Sequence, residues 1–430
     1  MARPPIAGSG AVPGEAERCE VLIVGGGPAG ATLAALLAER GRHIVLVEKE
    51  RHPRFHIGES LLPLNLPLFE RLGVARAVAG IGMVKRGVEF VSPRHRASTS
   101  FAFADALDKR HPHAYQVPRA QFDEILFRNA ASKGAETVEG CRIGAIEFPA
   151  AGGVLAEGRA GGGERRRWHA SFLVDASGRE TLLARQLGWR ERDRRHASAA
   201  VFGHFAGARR LPGPAEGHIT IAWFDAGWFW FIPLADGTTS VGAVCRPDFI
   251  KAGAGDPDRL LMATIARCPE IAGRLAAARL LAPARATGNY SYGARHMGGE
   301  RFLLIGDAFA FLDPVFSTGV FLAMRSAVLA APAVEAALDG GRGASRARRR
   351  FEAEVRRGLA AFSWYIHRAT SPALRDLFMA PRNDFRMAEA MLSLLAGDIA
   401  PRPGLALRLA LFRAVWRLGS WRRPASAPLP

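Results

Sequence analysis

The chain has 430 residues, enough to bury more than one structural unit, and its 49% hydrophobic and 23% charged residues match an ordinary globular enzyme. Four scattered cysteines (Cys19, Cys141, Cys245, Cys268) form no CxxC pair, which argues against a disulfide framework or a metal site and fits a cytoplasmic protein. The net charge of +18 is spread over many arginines without a nucleic-acid motif or a stacking series of aromatics, so nucleic acid is not an expected partner, whereas an acidic protein is a candidate.

Residues 1–17 lack an apolar core of the signal-peptide kind and read as a disordered arm. VLIVGGGPAGATLAALLA (21–38) is apolar enough for a membrane span, but its Gly-Gly-Gly-Pro insert fits strand, turn and helix better, so no transmembrane segment is expected. The strand CEVLIV leads into Gly25-Gly26-Gly27-Pro28-Ala29-Gly30 and a helix; the next strand, HIVLVEKE, ends near Glu48. This is a complete dinucleotide-binding βαβ unit. Gly25 makes the tight turn, Gly27 admits a pyrophosphate to the helix N-terminus, Gly30 lets helix and strand pack, and Glu48 receives the ribose hydroxyls.

Farther along come HPRFHIGESLLP (52–63) and GIGMVKRGVEF (80–90), then a β-rich stretch to residue 103. YQVPRAQFDEILFRNA (115–130) opens a helix at Arg119, and residues 154–174 read as a hairpin turning at its glycines. FLVDASGRETLLARQLG (172–188) is a strand ending at Asp175. In AGWFWFIPL (226–234), Trp228, Trp230 and Ile232 fall on one face of a strand, with Pro233 next. FLLIGDAFAFLDPVFSTGV (302–320) is a strand ending at Gly306-Asp307, followed by a loop and a helix, and residues 346–430 read as helical.

These segments together resemble the FAD flavoproteins of the aromatic-hydroxylase type. Within that fold, three features resemble the flavin-dependent halogenases: the WxWxIP run Trp228–Pro233, the loop Phe311-Leu312-Asp313-Pro314-Val315-Phe316-Ser317-Thr318-Gly319, and the segment carrying Lys85. The resemblance implies an α/β fold with an α+β substrate layer. A discontinuous Rossmann-like FAD domain is expected over 18–88, 106–190 and 285–345, a β-rich substrate domain over 89–105 and 191–284, and a helical region over 346–430. Gly25, Gly27, Pro28, Ala29, Gly30, Glu48, Glu59, Arg119, Asp175, Gly306, Asp307, Pro314, Gly319 and Val320 are its implied cofactor residues.

The resemblance further implies FADH2 supplied by a separate flavin reductase, and hypohalous acid made at the flavin from oxygen and chloride or bromide. Halide is expected at Ser317, Thr318 and Gly319. Trp228, Trp230, Ile232 and Pro233 would shield flavin from substrate, and Lys85 would relay the halogen, a task Arg86 cannot take because a guanidinium keeps its proton. Phe316 stands where tryptophan-specific members carry glutamate, which favours a phenol, a pyrrole or an aryl group on an acidic acyl or peptidyl carrier protein. The amphipathic segment 403–423, with Arg408, Arg413 and Arg417, reads as a cover for its own domain, a carrier dock or a peripheral membrane contact. An FAD monooxygenase or flavin reductase of the same fold is the alternative, separated from the halogenase reading by the placement of Lys85 and the two tryptophans.

Overall fold

A computed structural model describes residues 16–193, 198–253, 255–341, 343–381, 383–400 and 402–421. Most of the expected N-terminal arm, residues 1–15, and the tail 422–430 lie outside the described residues.

The first sheet grows from the apolar run Glu17–Val24, which pairs in parallel with Ile44–Glu48 on one side and Arg165–Asp175 on the other. Glu136–Glu139 extends it beyond Ile44–Glu48, and Phe302–Leu304 joins Arg165–Asp175 in parallel. The predicted hairpin is present: Val154–Ala160 and Arg165–Asp175 pair antiparallel, and Cys141–Glu147 adds an outer strand. Helix Pro28–Ala38 is buried along its whole length because it lies under both the sheet and the long helix Thr318–Leu338. The latter has the length and mean hydropathy (1.5) of a spanning segment, yet it packs between Pro28–Ala38 and helix Ala344–Ile366 as a core helix.

The second sheet runs in the order Arg279–Leu280, Ser198–Ala206, Thr238–Cys245, Gly227–Pro233, Ile219–Phe224, Gly87–Ser92, Ala97–Ala102. Two expected boundaries move. The sheet begins at Gly87, not at residue 89, and Arg285–Tyr290 pairs with Ser198–Ala206 instead of belonging to the FAD layer. Both shifts follow from strand pairing, which no local pattern announces. Phe229 and Phe231 face helices Pro257–Ala266 and Pro269–Leu275, while Trp228, Trp230 and Ile232 face the opposite way, toward Phe316, Phe362, Tyr365 and Phe378. Helices Pro372–Met379, Met387–Leu395 and Pro403–Trp421 close that second side. Among the described residues no group of His, Cys, Asp or Glu could hold a metal, and all four cysteines are free and buried.

Candidate active site

A long cleft runs along the junction of the two sheets, and the glycine turn sits at one end. Gly25 has φ +110°, and a Cβ there would meet the Ala176 carbonyl at 2.3 Å. A Cβ on Gly30 would meet the Gly25 carbonyl at 1.9 Å, so both positions require glycine for packing. Gly27, Pro28 and Ala29 line the cleft, and the helix that begins there has no side-chain cap, which leaves its first-turn N–H groups free for a phosphate. Glu48 is buried at the cleft edge and accepts from Gly26 N at 2.8 Å and from Arg54 Nη2 at 3.3 Å. Arg119 is held by Asp123 at 2.8 Å and donates to the carbonyls of Ile57 and Gly58, fixing the loop that roofs the cleft. This cradle fits the adenosine, pyrophosphate and ribityl parts of FAD.

Asp307 also lines the cleft; burial raises its carboxyl to about 6, against the pull of Arg119 and Arg179. Asp175 does not act as expected. Its oxygens accept from Ser177 N (2.9 Å) and Leu183 N (2.8 Å), so it shapes the turn Ala176–Arg179 that lines the cleft without facing it. Gly306, at φ +56°, likewise serves the backbone, and borders a smaller neighbouring pocket.

At the other end of the cleft stand Trp228, Trp230 and Ile232. The two indoles lie 6.2 Å apart at 55°; Trp230 donates to Ser240 Oγ at 3.1 Å. Gly242 makes room for the second ring, since a Cβ there would fall 2.3 Å from Trp230 Cζ2. Pro233 ends the strand and is buried, but it does not line the cleft. Opposite the wall, Pro314, Ser317, Gly319 and Val320 line the cleft, with Ser317 in a left-handed conformation (φ +57°) that starts helix Thr318–Leu338. Thr318 is 1% exposed and borders the smaller pocket instead of the cleft. Phe316 points away into the apolar layer and lies 6.2 Å from the Phe378 ring.

Lys85 sits just outside the cleft. Its side chain is 2% exposed, and Nζ donates to Ser60 Oγ and to the Leu61 carbonyl, both at 2.9 Å. Among the described residues no carboxylate pairs with it, and burial alone pulls its pKa from 10.5 to about 7. Phe103 covers it at 5.4 Å, backed by Leu392 and Ala396 from the C-terminal layer. Ser60 lines the cleft itself, so a single hydroxyl stands between cleft and lysine.

A family profile described as FAD binding domain matches residues 18–364. The solved structure of a myxobacterial chondrochloren halogenase, an FAD-dependent halogenase variant, superposes with a TM-score of 0.77 and 32% identity over 96% of this chain and 99% of that one. The chain belongs to the flavin-dependent halogenases. It is 38% identical to a tryptophan 2-halogenase of Chondromyces crocatus over 75% of its own length, but spans only 62% of that enzyme. It is 30% identical to a pyrrole-2-carbonyl carrier-protein chlorinase of Pseudomonas fluorescens, across 88% of this chain and 89% of that one. FAD is thus the cofactor of this halogenase, as its cleft also indicates.

Several residues that position this site have no separate signal in the sequence. Ser60 belongs to no motif of its own. Glu59 lines the cleft and bonds His204 of the second sheet at 2.6 Å; burial opposes charge on that histidine, yet the glutamate lifts it above its ordinary value. Asp313 lies inside the halogenase loop and caps its turn at Val315 N, but its other partner, the Ser198 hydroxyl, comes from a strand that no sequence spacing connects to it.

Proposed function

We propose that this halogenase makes hypohalous acid at reduced FAD and hands the halogen to Lys85, which delivers it to an electron-rich aromatic. The placement of Lys85 carries this reading: a fully buried amine, one serine beyond the cleft, without a counter-ion among the described residues. With its pKa near 7 it exists as ammonium and as free amine at working pH. The ammonium polarises the O–X bond of hypohalous acid by donating to oxygen. The free amine instead attacks halogen, forming N–X and releasing hydroxide, which takes up the amine proton to leave water. In either case the electrophile stays fixed in place.

Bound reduced FAD supplies the activation of oxygen. The chain's own residues do the rest. Gly25, Gly27, Pro28, Ala29 and Glu48 hold the dinucleotide end; Glu59, Arg119, Asp307, Pro314, Gly319 and Val320 hold the flavin end. Ser317 with the Thr318 and Gly319 amides offers halide an anion site at a helix start. Trp228 and Trp230 fill the space through which an aromatic would otherwise reach the flavin, with Ile232 and Pro233 completing their strand. Reduced FAD comes from a separate reductase.

The substrate is an electron-rich aryl group, a phenol or pyrrole, carried on an acidic carrier protein. The surface of the C-terminal helix supports the carrier. Leu407 and Leu418, each 62% exposed, and Val415, 39% exposed, form one stripe beside Arg408 and Arg417, on a helix that packs against Met387–Leu395, whose Leu392 backs Phe103. One relative is named for a carrier-bound pyrrole, while another is named for tryptophan, so indole belongs in the same test panel.

The test supplies purified protein with FAD, an unrelated flavin reductase, NADH and bromide. Free phenols, pyrroles and indoles are compared with carrier-bound aryl thioesters by mass. Bromine incorporation that Lys85→Ala abolishes while peroxide still forms is the expected result. Oxygen gain that ignores bromide would mean a hydroxylase, and incorporation into free arenes only would remove the carrier.

A further inference from the structure

The bonds from Lys85 to Ser60 and Leu61 do not use all the polar atoms that the fold gathers beside this lysine. Met83–Lys85 and Ala114–Gln116 pair antiparallel, with Lys85 opposite Ala114 and Met83 opposite Gln116. Lys85 and Gln116 are therefore diagonal neighbours on one face. Gly217 and His218 close over these strands. A Cβ on Gly217 would meet the Val84 carbonyl at 2.0 Å and the Met83 side chain at 3.2 Å, and a Cβ on Gly87 would meet the His218 ring at 2.9 Å. Gln116, 0% exposed, donates through Nε2 to the Gly217 carbonyl at 3.2 Å, which leaves Oε1 as the free end of its amide. That oxygen is buried and has no partner among the described residues, and the same holds for Nδ1 of His218, itself 8% exposed. Both atoms flank one peptide unit, Gly217–His218. Buried polar atoms ordinarily find partners, so two left open together mark the place of a missing polar group. Burial lowers the pKa of His218, the Lys85 and Arg86 charges add to this, and Glu89 opposes it. The neutral ring carries a proton on Nδ1 in one of its two tautomers.

We propose that Gln116 and His218 hold an aryl hydroxyl of the substrate, which donates to Gln116 Oε1, accepts from His218 Nδ1–H, and so presents a phenol to Lys85. This rests on the reading of Lys85 as the residue that delivers the halogen. A hydroxyl combines one donor with acceptor lone pairs, so it completes both open atoms at once. A pyrrole or indole N–H only donates; it completes Gln116 and leaves His218 open. A ring with neither group leaves both atoms desolvated and unpaired, which costs binding. The substrate class thereby narrows from electron-rich aromatics to phenols.

The experiment measures equilibrium binding by calorimetry to the oxidised, FAD-loaded protein, so that recognition is read without halogenation. The probes are 4-hydroxybenzoyl, 4-fluorobenzoyl and pyrrole-2-carbonyl thioesters of N-acetylcysteamine. Wild type should bind the hydroxyl probe at least about a hundredfold more tightly than the fluoro probe, the scale of two bonds to buried groups. Gln116→Met should weaken the hydroxyl and pyrrole probes about tenfold each. His218→Leu should weaken the hydroxyl probe alone by about tenfold, and His218→Asn, which keeps a donor, should restore most of that loss. Neither loss should extend to the fluoro probe or to FAD. Equal wild-type affinity for the hydroxyl and fluoro probes would overturn the proposal, as would a preference that both Gln116→Met and His218→Leu leave unmoved, and water would then be the occupant. A wild type that favours the pyrrole probe over the hydroxyl probe would also overturn it. Should Gln116→Met fail to hold FAD, the comparison of His218→Leu with His218→Asn decides. The expected discrimination without bromine entering any probe would sink delivery by Lys85 while leaving the hydroxyl site standing.

Discussion

Ser60 Oγ and Lys85 Nζ lie 2.9 Å apart, with the serine on the wall of the flavin cleft and the lysine sealed behind it. On the proposed relay, this pair links the place where oxidant would form to the amine that would receive it. Its partners belong to segments twenty-five residues apart, joined because Met83–Lys85 pairs with Ala114–Gln116 and Ser60 bridges to Gln116.

Ser60→Ala removes one of the two acceptors that favour the ammonium form. The lysine pKa should fall further, and bromination should drop about tenfold, the usual scale for losing a bond to a charged group. FAD affinity should not change. The pH profile of single-turnover bromination checks this, and a profile identical to wild type counts against a role for the serine.

Lys85→Met should stabilise the protein, with a distinct pH dependence. The folded pKa of about 7 lies below the ordinary 10.5, so between these values the unfolded chain holds a proton that the folded chain has lost. Wild-type stability therefore rises across that window and is lowest below it. The gain from methionine should reach up to ~5 kcal/mol below pH 7 and vanish as pH nears the upper value. Denaturant unfolding at pH 6 and pH 10 checks it; parallel shifts at both would contradict the burial argument.

Gly25→Ala places a methyl 2.3 Å from the Ala176 carbonyl at φ +110°. FAD affinity should fall at least about a hundredfold, and stability by about 2–4 kcal/mol, because backbone cannot yield as a flexible side chain would. Flavin retention on purification and thermal unfolding report the two effects.

Gly242→Ala pushes against Trp230 and against the Phe202 Cβ at 2.5 Å. The fold should lose about 2 kcal/mol through overpacking. If the wall excludes substrate from the flavin, the displaced indole should also raise peroxide release relative to halogenated product. An unchanged ratio in a folded variant would argue that the indole is only core.

The sequence by itself determined the FAD fold, because glycine turns, caps and strand alternation are local: backbone sterics at Gly25 or the period of 228, 230 and 232 need no partner to be read. It also located Lys85 and the loop to Gly319 through their resemblance to a family. Only the tertiary structure decided what those residues meet. The loss of solvent around Lys85, the Ser60 hydroxyl beside it and the Ser198 hydroxyl on Asp313 depend on segments far apart in the chain. Desolvation and hydrogen bonding are set by the surroundings that a residue acquires in the fold, and one-dimensional spacing carries no record of them.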